Sequence, residues 1–429
     1  HRQQAIQDLT PLTGLREQIA LLGANPFQSA HHDTFDTWLN QPPTAFPTLL
    51  RPILYLTSAI ALLLLLAWFA NRLPTPNLYQ NLAAILAVQG AIALRYRAKA
   101  LPILDETQPL TGQLQIVREG LNLIRNQPRI SNRYDLIGAD PALKALQNLF
   151  TIVEQRKKEW FYIPSLLLNA GTHAAIRINT WKLNHSNNLR RWLEAFADFE
   201  ALNALATYAY EHPRNTYPNL LPEPTPPTFE ATNLTHPLLP QAVPNDIHLN
   251  PQTRFYLISG SNMAGKSTLL RAIGLAVILA RAGAPIPATR CRLSALTLGA
   301  SLALTDSLAE GKSKFLAEVE RIQHILTLAR QSPTLYLIDE LFSGTNSADR
   351  LTAARAILHA LNTHAAIGAL STHDLALTTL TTHQNHGQNV HMTSPDPLDP
   401  LAFDYLLKPG INTTTNALAF LRLLNLEEI

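Results

Sequence analysis

The segment Gly260-Ser261-Asn262-Met263-Ala264-Gly265-Lys266-Ser267 constrains this chain most. It fits the pattern G-x-x-x-x-G-K-[ST], in which backbone N–H groups surround a phosphate at the start of a helix. The apolar run Phe255-Tyr256-Leu257-Ile258 before it reads as a buried strand. Leu269, Leu270, Ile273, Leu275, Ala276, Ile278 and Leu279 after it read as an amphipathic helix. Strand, loop and helix together predict nucleotide binding by residues Gly260 to Thr268. Lys266 is expected to bring its charge to the β/γ oxygens, and the Ser267 hydroxyl to ligate Mg²⁺.

A second apolar strand, Thr334-Leu335-Tyr336-Leu337-Ile338, ends in Asp339 and Glu340. One helical stretch and two turn-rich segments are expected between it and the phosphate loop. At a strand end Asp339 can hold Mg²⁺ through water, and Glu340 can polarise an attacking water. A further strand, Ile367-Gly368-Ala369-Leu370-Ser371-Thr372, leads into His373, a candidate sensor of the γ-phosphate.

Residues 53–70 form eighteen positions without a charge, including five consecutive leucines, Leu62 to Leu66. As a helix they would extend ~27 Å, close to the ~30 Å hydrocarbon thickness of a bilayer. A second such segment covers residues 78–94, interrupted only by Gln80, Asn81 and Gln89, and the seven residues between them suit a tight turn. Arg51, Arg95, Arg97 and Lys99 flank the open ends, against Arg72 in the turn, so the open ends are expected on the cytoplasmic side. Two readings follow: a hairpin that crosses the membrane over residues 53–94, or an apolar hairpin buried in a helical domain.

The rest of the N-terminal half reads as helix. Ile6, Leu9, Leu12, Leu15, Ile19 and Leu22 recur at helical spacing, and helical segments are expected over 110–125, 141–157 and about 188–212. Pro222, Pro224, Pro226 and Pro227 predict a stiff linker. The net charge of +3 is too small to indicate nucleic-acid binding, and the single cysteine, Cys291, excludes an intrachain disulfide and cysteine-based zinc fingers. Small basic clusters such as Lys157-Lys158 and Arg190-Arg191 read as solvated helix faces.

The phosphate loop with its Asn262-Met263 pair resembles that of the MutS family of DNA mismatch-repair proteins. Five further segments agree in order: Thr235-His236-Pro237-Leu238, Val243-Pro244-Asn245-Asp246, Gly283-Ala284-Pro285-Ile286-Pro287-Ala288, the stretch from Asp306 to Phe315, and Asp339-Glu340-Leu341-Phe342-Ser343-Gly344-Thr345-Asn346-Ser347. The resemblance implies an α/β fold: a P-loop ABC-type ATPase domain preceded by an α-helical core and lever region, here carrying the two-helix transmembrane hairpin. With the hairpin, which the uncharged segments and not the resemblance predict, the expected organisation is a helical core fragment (1–50), the hairpin (51–97), lever helices with the Pro-rich linker (98–228) and the ATPase domain (229–429).

Carried over, the resemblance implies ATP and Mg²⁺ as ligands and a homodimer formed through the ATPase domain. Ser313 would reach the γ-phosphate of the neighbouring subunit's nucleotide, Asn346 and Ser347 would lie in the loop crossing between subunits, and His373 would be the switch histidine. Asn245 would belong to the nucleotide site. The family often carries an adenine-stacking aromatic three residues before that asparagine, and Ala242 stands there instead. A role in mismatch repair or in binding mismatched duplex DNA is implied by the family alone, and no Phe-x-Glu mismatch wedge precedes the helical region. The alternative is the energising ATPase subunit of a membrane assembly without a DNA role. A transporter nucleotide-binding subunit is disfavoured, because Leu-Ser-Gly-Gly-Gln does not occur.

Overall fold

The computed structural model describes residues 1–23, 30–156, 158–302, 314–342, 346–396, 399 and 402–412. The chain divides into two compact units, residues 8–207 and residues 208–429 joined by 1–7.

Residues 8–207 are helical. In chain order the helices are α1 (Arg2–Leu9, shared with the other unit), α2 (Thr13–Ala20), α3 (His32–Asn40), α4 (Leu50–Phe69), α5 (Thr75–Asp105), α6 (Thr111–Arg125), α7 (Pro128–Ser131), α8 (Ala139–Gln155), α9 (Glu159–Leu167) and α10 (Ala170–Glu211). The N-terminal periodicity splits into α1 and α2, because Pro11 has no N–H to continue a helix. The predicted helix over 188–212 is the second half of α10, which has 42 residues. The polar run from Asn184 to Asn188 hid its first half, since it interrupts the apolar spacing without interrupting the backbone.

The 20 residues of α4 and the 31 of α5 are each long and apolar enough to cross a membrane. Their large apolar side chains face outward: Leu63 is 63% exposed and Phe69 84%. The open end of the hairpin is anchored on protein, where Leu50 and Leu54 pack on Ile176 of α10, with Phe46, Ile92 and Tyr96 alongside.

Residues 208–429 build two sheets from β1 (Asn219–Leu220), β2 (Phe229–Leu234), β3 (Asn245–Leu249), β4 (Phe255–Ser259), β5 (Arg290–Leu293), β6 (Thr297–Ser301), β7 (Thr334–Asp339), β8 (Ala366–Thr372), β9 (Gly387–His391) and β10 (Lys408–Pro409), with helices α11 (Lys266–Ala282), α12 (Lys314–Gln331) and α13 (Ser347–Asn362). The larger sheet runs β10-β9-β4-β8-β7-β6, parallel except for β10. The smaller runs β1-β5-β2-β3. Between the phosphate loop and β7 the chain forms α11, β5, β6 and α12, where one helical stretch was predicted. The smaller sheet was not legible in the sequence, because its strands are short and their alternation of buried and exposed residues is brief.

Alternation along the strands makes two cores. Tyr256 and Ile258 of β4 face α11 and the smaller sheet, together with Leu335, Leu337, Ile367 and Ala369. Phe255 and Leu257 face α12 and α13, with Tyr336, Ile338 and Leu370. β4 and β8 are buried along their whole length, which explains their continuous apolar sequences. Gly368 permits the tight β7–β8 contact, since a Cβ there would lie 2.1 Å from the Tyr336 carbonyl oxygen.

Candidate functional site

The phosphate loop joins β4 to α11 at the C-terminal edge of the parallel strands. Its two glycines have specific reasons to be glycine. Gly260 adopts φ +152° and a Cβ would stand 2.2 Å from the Met392 carbonyl oxygen. Gly265, the N-cap of α11, adopts φ +98°, and a Cβ would lie 3.0 Å from the Tyr405 ring. Met263 between them has φ +67°, a conformation that costs a side-chain-bearing residue about 1 kcal/mol or more. The free N–H groups at the start of α11 and its dipole make this edge attractive to an anion.

Lys266 is buried, and its ammonium donates to the carbonyl oxygens of Gly260 at 2.7 Å and Ser261 at 2.8 Å. Burial lowers its proton affinity, while the carboxylates of Glu340 and Asp339 act in the opposite direction. Those two acids stand at the end of β7. The Asp339 carboxylate accepts a short hydrogen bond from the Ser371 hydroxyl of neighbouring β8. Glu340 leaves the strand with φ +55°, and its N–H donates to the Ser371 carbonyl oxygen at 3.3 Å. The Glu340 carboxylate lies 3.3 Å from Nδ1 of His373, which follows β8 directly. The β7–β8 pairing thus brings Asp339, Glu340, Ser371 and His373 together from two distant stretches of sequence.

A cavity of about 470 Å³ opens over the loop, lined by residues Asn262 to Leu269 and by Glu340, His236, Ala242, Asn245 and Tyr405. Tyr405 is the residue that sequence reasoning missed: in the segment 403–410 only Lys408–Pro409 pairs as a strand, with β9. Asn245 is buried in the cavity wall, and its amide is engaged with this segment. Nδ2 donates to the Tyr405 carbonyl oxygen at 3.0 Å, and Oδ1 accepts from the Leu407 N–H at 2.6 Å. Ala242, standing where an aromatic was expected, signalled a vacancy, but nothing near it in the sequence pointed to Tyr405. Burial and the nearby Arg271 charge hold the His236 imidazole below its ordinary pKa.

Asn346 caps α13: its side chain accepts from the Asp349 N–H at 2.9 Å. Ser347, first in that helix, donates to Asp374 at 2.8 Å, and Arg350 pairs with the same carboxylate at 3.3 Å. Ser313 lies outside the described residues. Among the described residues no cluster of three or more His, Cys, Asp or Glu forms a metal centre. The hydroxyl of Ser267 and the carboxylate of Asp339 are hard oxygen donors of the type Mg²⁺ takes when a nucleotide's phosphates supply further ligands. Residues 256–428, which carry this whole constellation except Asn245, His236 and Ala242, match the family model of MutS domain V. This part of the chain is thus similar to MutS domain V.

Proposed function

We propose that residues 208–429 bind ATP with Mg²⁺ and hydrolyse it to ADP and phosphate. The observation that carries this reading is the convergence of Lys266, Ser267 and Glu340 on one cavity, with His373 3.3 Å from the Glu340 carboxylate. The backbone N–H groups of the loop cradle the phosphates, and Lys266 exchanges its two carbonyl partners for the β/γ oxygens. Mg²⁺, held by Ser267 and through water by Asp339, would offset the charge on those oxygens. Glu340 accepts a proton from the attacking water, and His373 steers that carboxylate and meets the γ-phosphate. Tyr405 offers a ring to the nucleobase where Ala242 offers none, and Asn245 holds the Tyr405 backbone in place.

In this reading the site is completed by a second subunit, whose Ser313 hydroxyl reaches the γ-phosphate, so turnover depends on dimer closure. The outward-facing apolar residues of α4 and α5 support a hairpin that crosses the membrane and leaves the ATPase on the cytoplasmic side. Duplex DNA is the partner the family implies. Helices of membrane-spanning length favour a second reading, an ATPase subunit that energises a membrane assembly without engaging DNA.

The test is paired substitution in the purified full chain. Glu340→Gln is expected to keep ATP binding and lower turnover by ~100-fold or more, the scale of a lost general base. Lys266→Ala is expected to lose binding itself. Unchanged hydrolysis by Glu340→Gln would remove the assignment of the base. Adding matched and mismatched duplexes to the same assay separates the two readings, since only the DNA reading expects stimulation.

A further inference from the structure

α9 follows the basic stretch Arg156-Lys157-Lys158, and residues 160–168 carry no charge. A helix on the surface of a soluble domain turns its apolar stripe inward. α9 does the reverse: Trp160 and Ile163 are each 68% exposed and Leu166 50%. It also contacts the α4–α5 hairpin. Ser58, Ala61 and Leu65 of α4 and Ile163, Pro164 and Leu167 of α9 line a shared cavity of about 230 Å³ that is apolar apart from Ser58.

Gln89, buried in the middle of α5, donates Nε2 to the Leu167 carbonyl oxygen at 3.0 Å. That carbonyl belongs to the last turn of α9, where a helix leaves its oxygens without intrahelical donors. In water such a group is satisfied by solvent, but in hydrocarbon it must find a protein donor. A glutamine between the apolar stretches 82–88 and 91–94 is therefore explained if both groups lie where water is absent.

We propose that α9 is a third lipid-embedded element, seated in the acyl chains of the bilayer that the hairpin crosses. The inference rests on the membrane reading of α4 and α5. With nine residues, about 14 Å of helix, α9 is too short to span and must enter and leave on the same side. Exposed Lys158 before it suits the phosphates of that leaflet's headgroups, and Trp160 stands at the boundary where indole rings collect. Continuity with the exposed apolar surface of α4 argues for lipid as the occupant over a second copy of the chain.

The test uses the full chain with Cys291→Ala, given a single cysteine by Ile163→Cys on α9, Leu63→Cys on α4 or Lys144→Cys on α8, and labelled with an environment-sensitive nitrobenzoxadiazole probe. Each is reconstituted in phosphatidylcholine–phosphatidylglycerol vesicles with plain or brominated acyl chains, and ATP binding equal to that of the unlabelled chain verifies folding. Probes at Ile163 and Leu63 are expected to lose about half of their emission to brominated chains and to resist aqueous iodide, with the reverse at Lys144. If Leu63 responds to bromine while Ile163 responds to iodide, the hairpin reading stands and the proposal for α9 falls. Shielding of Ile163 from both quenchers means that protein covers it, a second copy included, and equally overturns the proposal. Iodide quenching at Leu63 would remove the membrane reading and this inference with it.

Discussion

Asn245 clamps Tyr405 from 160 positions away in the sequence, donating to its carbonyl oxygen at 3.0 Å and so holding the ring against the cavity above Gly265. Tyr405 has φ +56°, a backbone conformation that a non-glycine residue keeps only when its surroundings impose it.

If that ring stacks on the nucleobase, Tyr405→Ala should weaken ATP binding by ~1–3 kcal/mol, the range for base–aromatic stacking, and Tyr405→Phe should restore it. Asn245→Ala should weaken binding by a smaller amount, because the ring loses its support and keeps its chemistry. Inorganic tripolyphosphate, which has no base, serves as the control in calorimetric titrations. Equal losses for ATP and tripolyphosphate in Tyr405→Ala would exclude stacking as the cause.

Catalysis across a subunit boundary makes a complementation prediction. Chains with Ser313→Ala and chains with Lys266→Ala are each expected to be nearly inactive, whereas their mixture should recover activity. One of the two sites in each heterodimer then combines an intact Lys266 with an intact Ser313. The measurement is steady-state ATP hydrolysis against mixing ratio, with heterodimers verified by tagged pull-down. A flat response at all ratios would argue that Ser313 acts within its own chain or not at all.

Cys291 sits on β5 in the core beneath the smaller sheet, and burial pushes its thiol up to about 12. In the unfolded chain the thiol ionises near its ordinary value of ~8.5, whereas the folded chain retains the proton. The native state therefore binds more protons above that pH, and this contribution to stability is complete below ~8.5 and declines as pH rises toward about 12. At pH 8 the native chain should react with a disulfide reagent many times more slowly than the denatured chain. Rapid labelling without denaturant would mean that β5 opens readily.

The hairpin should make the full chain resist extraction by alkaline carbonate. Leu63→Arg combined with Leu66→Arg, two charges on the outward face of α4, should reduce membrane retention, at a cost of ~2.5–3.5 kcal/mol for Leu63 near the bilayer centre and less for Leu66 nearer the helix end. Fractionation of cells expressing each form would check it. Full recovery of the unaltered chain in the soluble fraction without detergent would favour an apolar hairpin covered by protein.

The phosphate loop, the strand ending in Asp339 and Glu340, and the two apolar helices were legible in the sequence because each rests on local chemistry. Gly260 answers a close backbone approach and Gly265 a left-handed turn, neither of which suits a side chain, and uncharged stretches of about twenty residues have few alternatives in water. The strand leading into His373 was legible too, but not that its ring would lie 3.3 Å from Glu340, since that distance follows from the β7–β8 register. The smaller sheet and the first half of α10 were hidden for opposite reasons. The strands are too short for a period to register, and the helix carries a polar stretch that its neighbours tolerate. Tyr405 could not be assigned from its own surroundings in the chain, because what brings it to the cavity is the amide of Asn245. A side chain's place over a site is decided by such long-range contacts, and only the folded backbone brings the two residues together.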